Sequence, residues 1–148
     1  MIIRKAVLED LETIVDFQMA MALETEELVL DCGVLTKGVQ AALTDKNKGQ
    51  IYVAADGEKI IGSLMITYEW SDWRNGWIWW IESLYVVPEQ RENGIFKQMY
   101  DYIKSLVLAE NTIKGIRLYV DKRNVRAQKV YDAIGMCGDH YTTYEWLK

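Results

Sequence analysis

The stretch VVPEQRENGIFKQMY, residues 86–100, joins an apolar run to an amphipathic one through a proline, two amide side chains, an arginine and a single glycine. Upstream, WIWWIESLYVV (77–87) has the length and the β-branched and aromatic content of a buried central strand. Pro88 ends that strand, because proline brings no N–H to a ladder. Downstream, Ile95, Met99, Tyr102, Ile103 and Leu106 keep the 3–4 spacing of one helix face, which predicts a helix from about Gly94 to Ala109. A helix entered this way presents unpaired N–H groups, and roughly half a positive charge, at its first turn. With Gln90 and Arg91 as further donors and no Cβ at Gly94, the turn reads as an anion cradle suited to a phosphate or diphosphate. Neither GxxxxGK[ST] nor GxGxxG occurs, so the common nucleotide and dinucleotide loops are excluded and another phosphorylated carrier is implied.

Working outward, IIRKAV (2–7) reads as a strand, and Leu11, Ile14, Val15 and Gln18/Met19 follow helical spacing. Thr36 caps a second helix carrying Val39 and Leu43. QIYVAADGEKIIGSLMITYEW (50–70) reads as two strands joined at Asp56-Gly57, a strong hairpin signal. GIRLYVD (115–121) is a strand, NVRAQKVYDAIG (124–135) a helix closed by Gly135, and YTTYEWL (141–147) a final strand. The order β-α-α-β-β-β-α-β-α-β belongs to the α/β (α+β) class, and 148 residues suit one domain, 1–148.

The formal charge of −5, with no stripe of lysine or arginine, argues against a nucleic-acid partner and favours a cationic substrate. Cys32 and Cys137 have neither a disulfide framework nor metal-ligand spacing, so no metal is expected and a reducing cytoplasm fits. No stretch is apolar enough to span or anchor in a membrane, and MIIRKAVLEDLE lacks the features of an export signal.

In this setting Val86-Val87-Pro88 followed by Arg91-Glu92-Asn93-Gly94-Ile95-Phe96 resembles the [Q/R]xxGx[G/A] diphosphate motif of the GNAT-type N-acetyltransferases. The likeness covers the whole chain: an opening I..A...D at Ile3, Ala6 and Asp10, the hairpin, the central strand, and N..A...Y...G at Asn124, Ala127, Tyr131 and Gly135. Residues 68–94 look like a bacterial branch with no assigned acceptor, and more loosely like the diamine acetyltransferases. The resemblance implies a mixed, mostly antiparallel sheet of six to seven strands, splayed near its middle and flanked by about four helices. It also implies acetyl-coenzyme A as cosubstrate. The segment Arg91 to Phe96 would then hold the diphosphate, the backbone of Leu84, Tyr85, Val86 and Val87 would serve the thioester arm and its oxyanion, and Asn124 would bond the pantetheine arm or the last strand. Phe96 and Glu92 depart from the family pattern, the first by bulk and the second by charge.

Acetyl transfer to an amine needs a base, since only about one alkyl-amine in 10³ is neutral at pH 7. Strand alternation puts Glu82 on the face of Trp80 and Leu84, and it matches a strand carboxylate that serves as base in the resembling enzymes. Tyr131 matches the proton donor to the departing thiolate. The crowded aromatics Trp70, Trp73, Trp77, Trp79 and Trp80 fit a core or a homodimer interface. The sharper expectation is that Tyr68, Trp70 and Trp80, with Glu24 and Glu27, line a pocket for a small cationic amine. His140 has no nucleophile beside it in sequence and is expected at the surface. Peptide Nα-acetylation, or a silent coenzyme-A-binding module, are the competing readings.

Overall fold

The computed structural model describes residues 1–148, whose contacts fall into two compact units, Met1–Leu118 and Tyr119–Lys148. The first is built on one sheet of β1 (Ile2–Lys5), β2 (Gln50–Asp56), β3 (Lys59–Ser71), β4 (Gly76–Val86) and β5 (Ile113–Leu118), in that spatial order. Strands β1 to β4 pair antiparallel, and β5 runs parallel to β4. The sheet is thus mixed and mostly antiparallel, but it has five strands where six to seven were expected. Residues 141–147 form no strand: their tyrosines, threonines and tryptophan have β propensity, and propensity makes no strand without a ladder.

Helices α1 (Leu11–Glu26) and α2 (Cys32–Thr44) cover one face of the sheet, and α3 (Ile95–Ala109) covers the other. Alternation along β2 shows the division. Ile51 and Val53 join Ile14, Val15, Val39 and Ala42 in one core cluster, while Tyr52 meets Tyr102 of α3 edge-on at 5.9 Å. A strand buried on both faces needs apolar residues at every position, which explains the unbroken IYVAA. Met99 and Ile103 of α3 are fully buried, each stabilising the fold by about 1.5–3 kcal/mol.

Local chemistry sets the element ends. Strand β1 stops two residues short of the expected Val7, because Asp10 accepts from the Val7 N–H at 2.8 Å and turns the chain into α1. Helix α2 starts a turn earlier than Thr36: Asp31 is the cap, its Oδ1 accepting from the Val34 N–H at 2.9 Å, and aspartate is the stronger cap. Thr36 lies inside the helix and donates to the Cys32 carbonyl. The β2–β3 hairpin closes where expected, Asp56 pairing with Lys59 and Gly57 taking φ +62°.

In the second unit, α4 (Val125–Ala133) is capped by Asn124, whose Oδ1 accepts from the Ala127 N–H at 3.0 Å. It closes through Gly135 N–H to the Asp132 carbonyl and Met136 N–H to the Tyr131 carbonyl.

Candidate active site

Strand β4 changes partner along its length. Its parallel ladder with β5 ends at Ile81↔Leu118, while its antiparallel ladder with β3 continues to Gly62↔Val86. From Glu82 to Val86 one edge of β4 therefore has no strand beside it. The β3 register also slips: Met65 faces Glu82 and Ser63 faces Tyr85, so Ser83 and Leu84 together oppose Leu64. Ser83 carries the slip with φ +53°, a left-handed conformation that a serine adopts only under constraint. Part of that constraint is Gln18 of α1, whose Nε2 donates to the Ser83 carbonyl at 3.0 Å.

The bulge resets which groups point where. Past it, the Val87 N–H donates to the Ile61 carbonyl of β3 at 3.0 Å, so Tyr85 and Val87 turn their backbone groups toward β3. Alternation turns the N–H groups of Leu84 and Val86 to the opposite, open edge. Of the four backbone amides expected to serve a ligand, the geometry leaves Leu84 and Val86 and takes Val87 and Tyr85 into the sheet.

Side chains are re-sorted too. Glu82, Trp80 and Tyr85 share the face of Met65 and Ser63, the face that α1 and α2 cover, and Tyr85 packs on Phe17 with ring centroids 5.0 Å apart. Leu84 passes to the other face, contrary to simple alternation, because the extra residue at Ser83 shifts the phase by one. Tyr68 and Trp70 also lie on that other face, in edge contacts with Trp77 and Trp79. The sheet thus separates Tyr68 and Trp70 from Glu82 and Trp80, so these residues do not line one pocket. What accompanies Glu82 on its own face is a polar group that sequence reading passed over. Glu69 accepts from Trp80 Nε1 at 2.9 Å and from Arg117 Nη1 at 3.1 Å.

The β4–α3 turn follows a short 3-10 turn, Pro88–Gln90. Gly94 adopts φ +73°, ψ 18° and leads straight into Ile95, whose buried side chain anchors α3. A Cβ there would meet no atom within 4 Å, so the glycine is required by its left-handed backbone and not by crowding. No side chain caps α3, and its first intrahelical bond runs from the Gln98 N–H to the Gly94 carbonyl at 3.1 Å. Helix geometry accordingly leaves the Ile95 and Lys97 N–H groups without an intrahelical acceptor. The Phe96 ring packs on Tyr100, one turn along α3, with ring centroids 6.1 Å apart. Glu92 is exposed in the turn at φ +67°, and Asn93 Nδ2 donates to Gln90 Oε1 at 3.3 Å.

Arg91 is used differently from the expectation. Its Nε donates to the Val86 carbonyl at 2.9 Å, its Nη2 to Glu24 at 2.8 Å, and its guanidinium lies over the Tyr85 ring, 5.3 Å from the centroid. The side chain ties the turn to β4 and α1, and it occupies Glu24. Burial, reinforced by the Glu24 charge, pushes the Tyr85 phenol above its ordinary value. Glu27 ends α1 as an exposed left-handed cap, φ +52°.

In the second unit, Asn124 spends its side-chain oxygen on capping α4. Burial raises the Tyr131 phenol above its ordinary pKa, so the hydroxyl stays protonated through neutral pH.

Strand β4 thus has an unpaired edge and a bulge beside Glu82, and α3 is entered without a side-chain cap through Gly94. Comparison with known proteins gives the family. The chain is similar to a possible acetyltransferase from Clostridium difficile 630, at 44% identity over 99% of this chain and 97% of that one, with a TM-score of 0.93. It is similar to a predicted acetyltransferase with acetyl-CoA from Clostridium acetobutylicum, at 25% identity over 99% and 94% of the two chains, TM-score 0.76. A ribosomal-protein-alanine N-acetyltransferase from Brucella melitensis biovar Abortus 2308 shares the fold, TM-score 0.80 at 14% identity over 99% of each chain. No curated protein matches. The model of the Acetyltransferase (GNAT) family matches residues 16–136, which is most of the chain, and with that match the chain belongs to the GNAT family of acetyltransferases.

Proposed function

We propose that the protein is an acetyl-coenzyme A-dependent N-acetyltransferase that acetylates the primary amine of a small molecule by direct attack in a ternary complex. The reading rests on one observation above others: the edge of β4 from Glu82 to Val86 has no strand beside it and leads directly to the uncapped start of α3. Such an edge offers in-line amide donors to an extended amide-bearing arm, as a sheet edge does to a peptide. The helix start offers N–H groups and a positive dipole end to the diphosphate. Leu84 and Val86 would hold the arm, and Gly94, Ile95 and Lys97 the diphosphate.

When bound, acetyl-coenzyme A supplies an acetyl thioester whose carbonyl carbon bonds to the amine nitrogen as the carbon–sulfur bond breaks. Glu82 takes the proton that the amine nitrogen must lose, directly or through water. Backbone N–H groups on the open edge of β4 stabilise negative charge on the carbonyl oxygen. Tyr131 returns a proton to the departing sulfur, a role assigned from its place in the N..A...Y...G pattern and supported by its protonated phenol. Acid and base end each turnover with their protons exchanged, and solvent restores them.

A thiol-release assay with acetyl-coenzyme A and a panel of small amines, amino acids and short peptides tests the reading. Turnover with small primary amines is expected. Turnover confined to peptides would replace the acceptor with a protein or peptide α-amine, and coenzyme binding with no thiol release on any acceptor would make the protein a silent binding module.

A further inference from the structure

Between α1, α2 and the sheet lies a cavity of about 490 Å³, within the range of small-ligand pockets. Its walls are mainly apolar, with Met21 on α1, Leu35 on α2 and Ile51 on β2 among them. Five polar side chains interrupt this surface, and two of them, Gln18 and Ser63, are buried. Gln18 is spent on the Ser83 carbonyl. Ser63 is 1% exposed, lines the cavity, and its Oγ has no hydrogen-bond partner at all. A buried hydroxyl without a partner is destabilising and uncommon, and an apolar residue of similar size would avoid the cost. The wall also includes Ser83, the bulge residue next to Glu82, and Glu26 with Thr25 at the end of α1. An apolar chamber is thus bordered by a carboxylate, adjoins the strand position of Glu82, and holds one unanswered hydroxyl.

From this we infer that the cavity is the acceptor pocket, and that the acceptor is a primary amine with an apolar body carrying one hydrogen-bonding group, which Ser63 Oγ meets. The inference rests on the acetyltransferase reading for its chemistry and narrows its substrate class. The apolar body fills the chamber, the polar group relieves Ser63, and the cationic amine is drawn to the acidic border. A polyamine fits poorly, since its several ammonium groups would be desolvated against Met21, Leu35 and Ile51.

The chain offers a clean way to narrow the chamber. Gly38 lines it from within α2, and a Cβ there meets no atom within 4 Å, so Gly38→Leu adds bulk at the chamber wall without a backbone clash while improving helix propensity. Acetylation of leucine amide, hexylamine and spermidine is compared in the wild type, Gly38→Leu and Ser63→Ala, with circular dichroism and coenzyme A calorimetry as controls for fold and cofactor binding. Leucine amide is expected to exceed spermidine in kcat/KM at least tenfold. Gly38→Leu should raise KM for leucine amide and hexylamine at least tenfold with coenzyme A affinity unchanged. Ser63→Ala should weaken leucine amide about 2–10-fold and leave hexylamine, which has no second polar group, unaffected. Spermidine as the best acceptor, or any accepted amine whose KM ignores Gly38→Leu, overturns the pocket while leaving the acetyltransferase reading intact. If no amine is acetylated, calorimetry decides alone: leucine amide binding that Gly38→Leu abolishes keeps the pocket without the chemistry, and no binding removes both.

Discussion

Arg91 and Glu24, 67 residues apart, form an ion pair of 2.8 Å that fastens the end of α1 to the turn between β4 and α3. The same guanidinium holds the Val86 carbonyl, so one side chain fixes the strand end, the turn and a neighbouring helix. In the proposed function, Arg91 is therefore a positioning residue for the diphosphate site. The sign of one variant separates that role from direct contact with the ligand. Glu24→Gln should weaken coenzyme A binding about 3–10-fold by calorimetry, because the turn loses an anchor. Were Arg91 itself the phosphate ligand, removing its competitor Glu24 would leave affinity unchanged or improve it. Arg91→Lys, which gives up the fork, should lower stability by about 1 kcal/mol, a modest cost because both partners are partly solvated.

Glu82→Gln is expected to lower kcat/KM by about 10²–10⁴ at pH 7, the usual worth of a positioned base. The deficit should shrink as pH rises toward the amine pKa near 10, because the neutral amine then needs no base. A variant with wild-type rates at pH 7 removes Glu82 from that role.

Tyr131→Phe keeps the ring and loses the proton. We expect kcat to fall about 10²–10³ with the acetyl-coenzyme A KM and melting temperature little changed. Because burial raises the phenol, any alkaline loss of rate from this group should set in at higher pH than an ordinary tyrosine would give. Loss of the fold with loss of rate would mark Tyr131 as a packing residue only.

Asp10 gives a pH test of the scaffold alone. Arg4 donates to both its oxygens, at 2.7 and 3.0 Å, and the Val7 N–H adds a third bond. The Arg4 hydrogen bonds, first among these causes, hold the Asp10 carboxyl below its ordinary pKa. A depressed carboxyl stabilises the fold above its unfolded pKa near 4 and ceases to do so as pH falls through the lower folded value. Asp10→Asn should therefore cost about 1–3 kcal/mol at pH 7 in denaturant unfolding and progressively less below pH 4.

The sequence was most legible where period and punctuation agreed. Pro88, Gly94 and the 3–4 rhythm from Ile95 placed the start and end of α3 correctly, and the Asp56-Gly57 hairpin closed where read. It was least legible at Ser83. Nothing in WIWWIESLYVV announces a bulge, and a single inserted residue sends Leu84 to the opposite face and brings Tyr85 to that of Glu82. The signal available was indirect: Gln18, an amide on the apolar stripe of α1, sits where spacing demands an apolar residue because it holds the Ser83 carbonyl. The aromatic cluster misled for a related reason. Composition brings Tyr68, Trp70 and Trp80 together, while the two-residue period of a strand divides them between faces. Residues 141–147 show the limit of propensity, which describes what a segment tolerates and not whether a neighbour pairs with it.

Calorimetric titration of coenzyme A into the wild type and Gly94→Val probes the proposed diphosphate site at the start of α3, with circular dichroism as the control for folding. Valine at φ +73° is strained although its side chain meets open space, so it disturbs the N–H groups at the start of α3 and little else. Micromolar binding by the wild type and at least a tenfold loss in the folded variant are expected if the α3 start holds the diphosphate. Equal affinity in both proteins, or no heat from either coenzyme A or acetyl-coenzyme A at millimolar concentration, would contradict it.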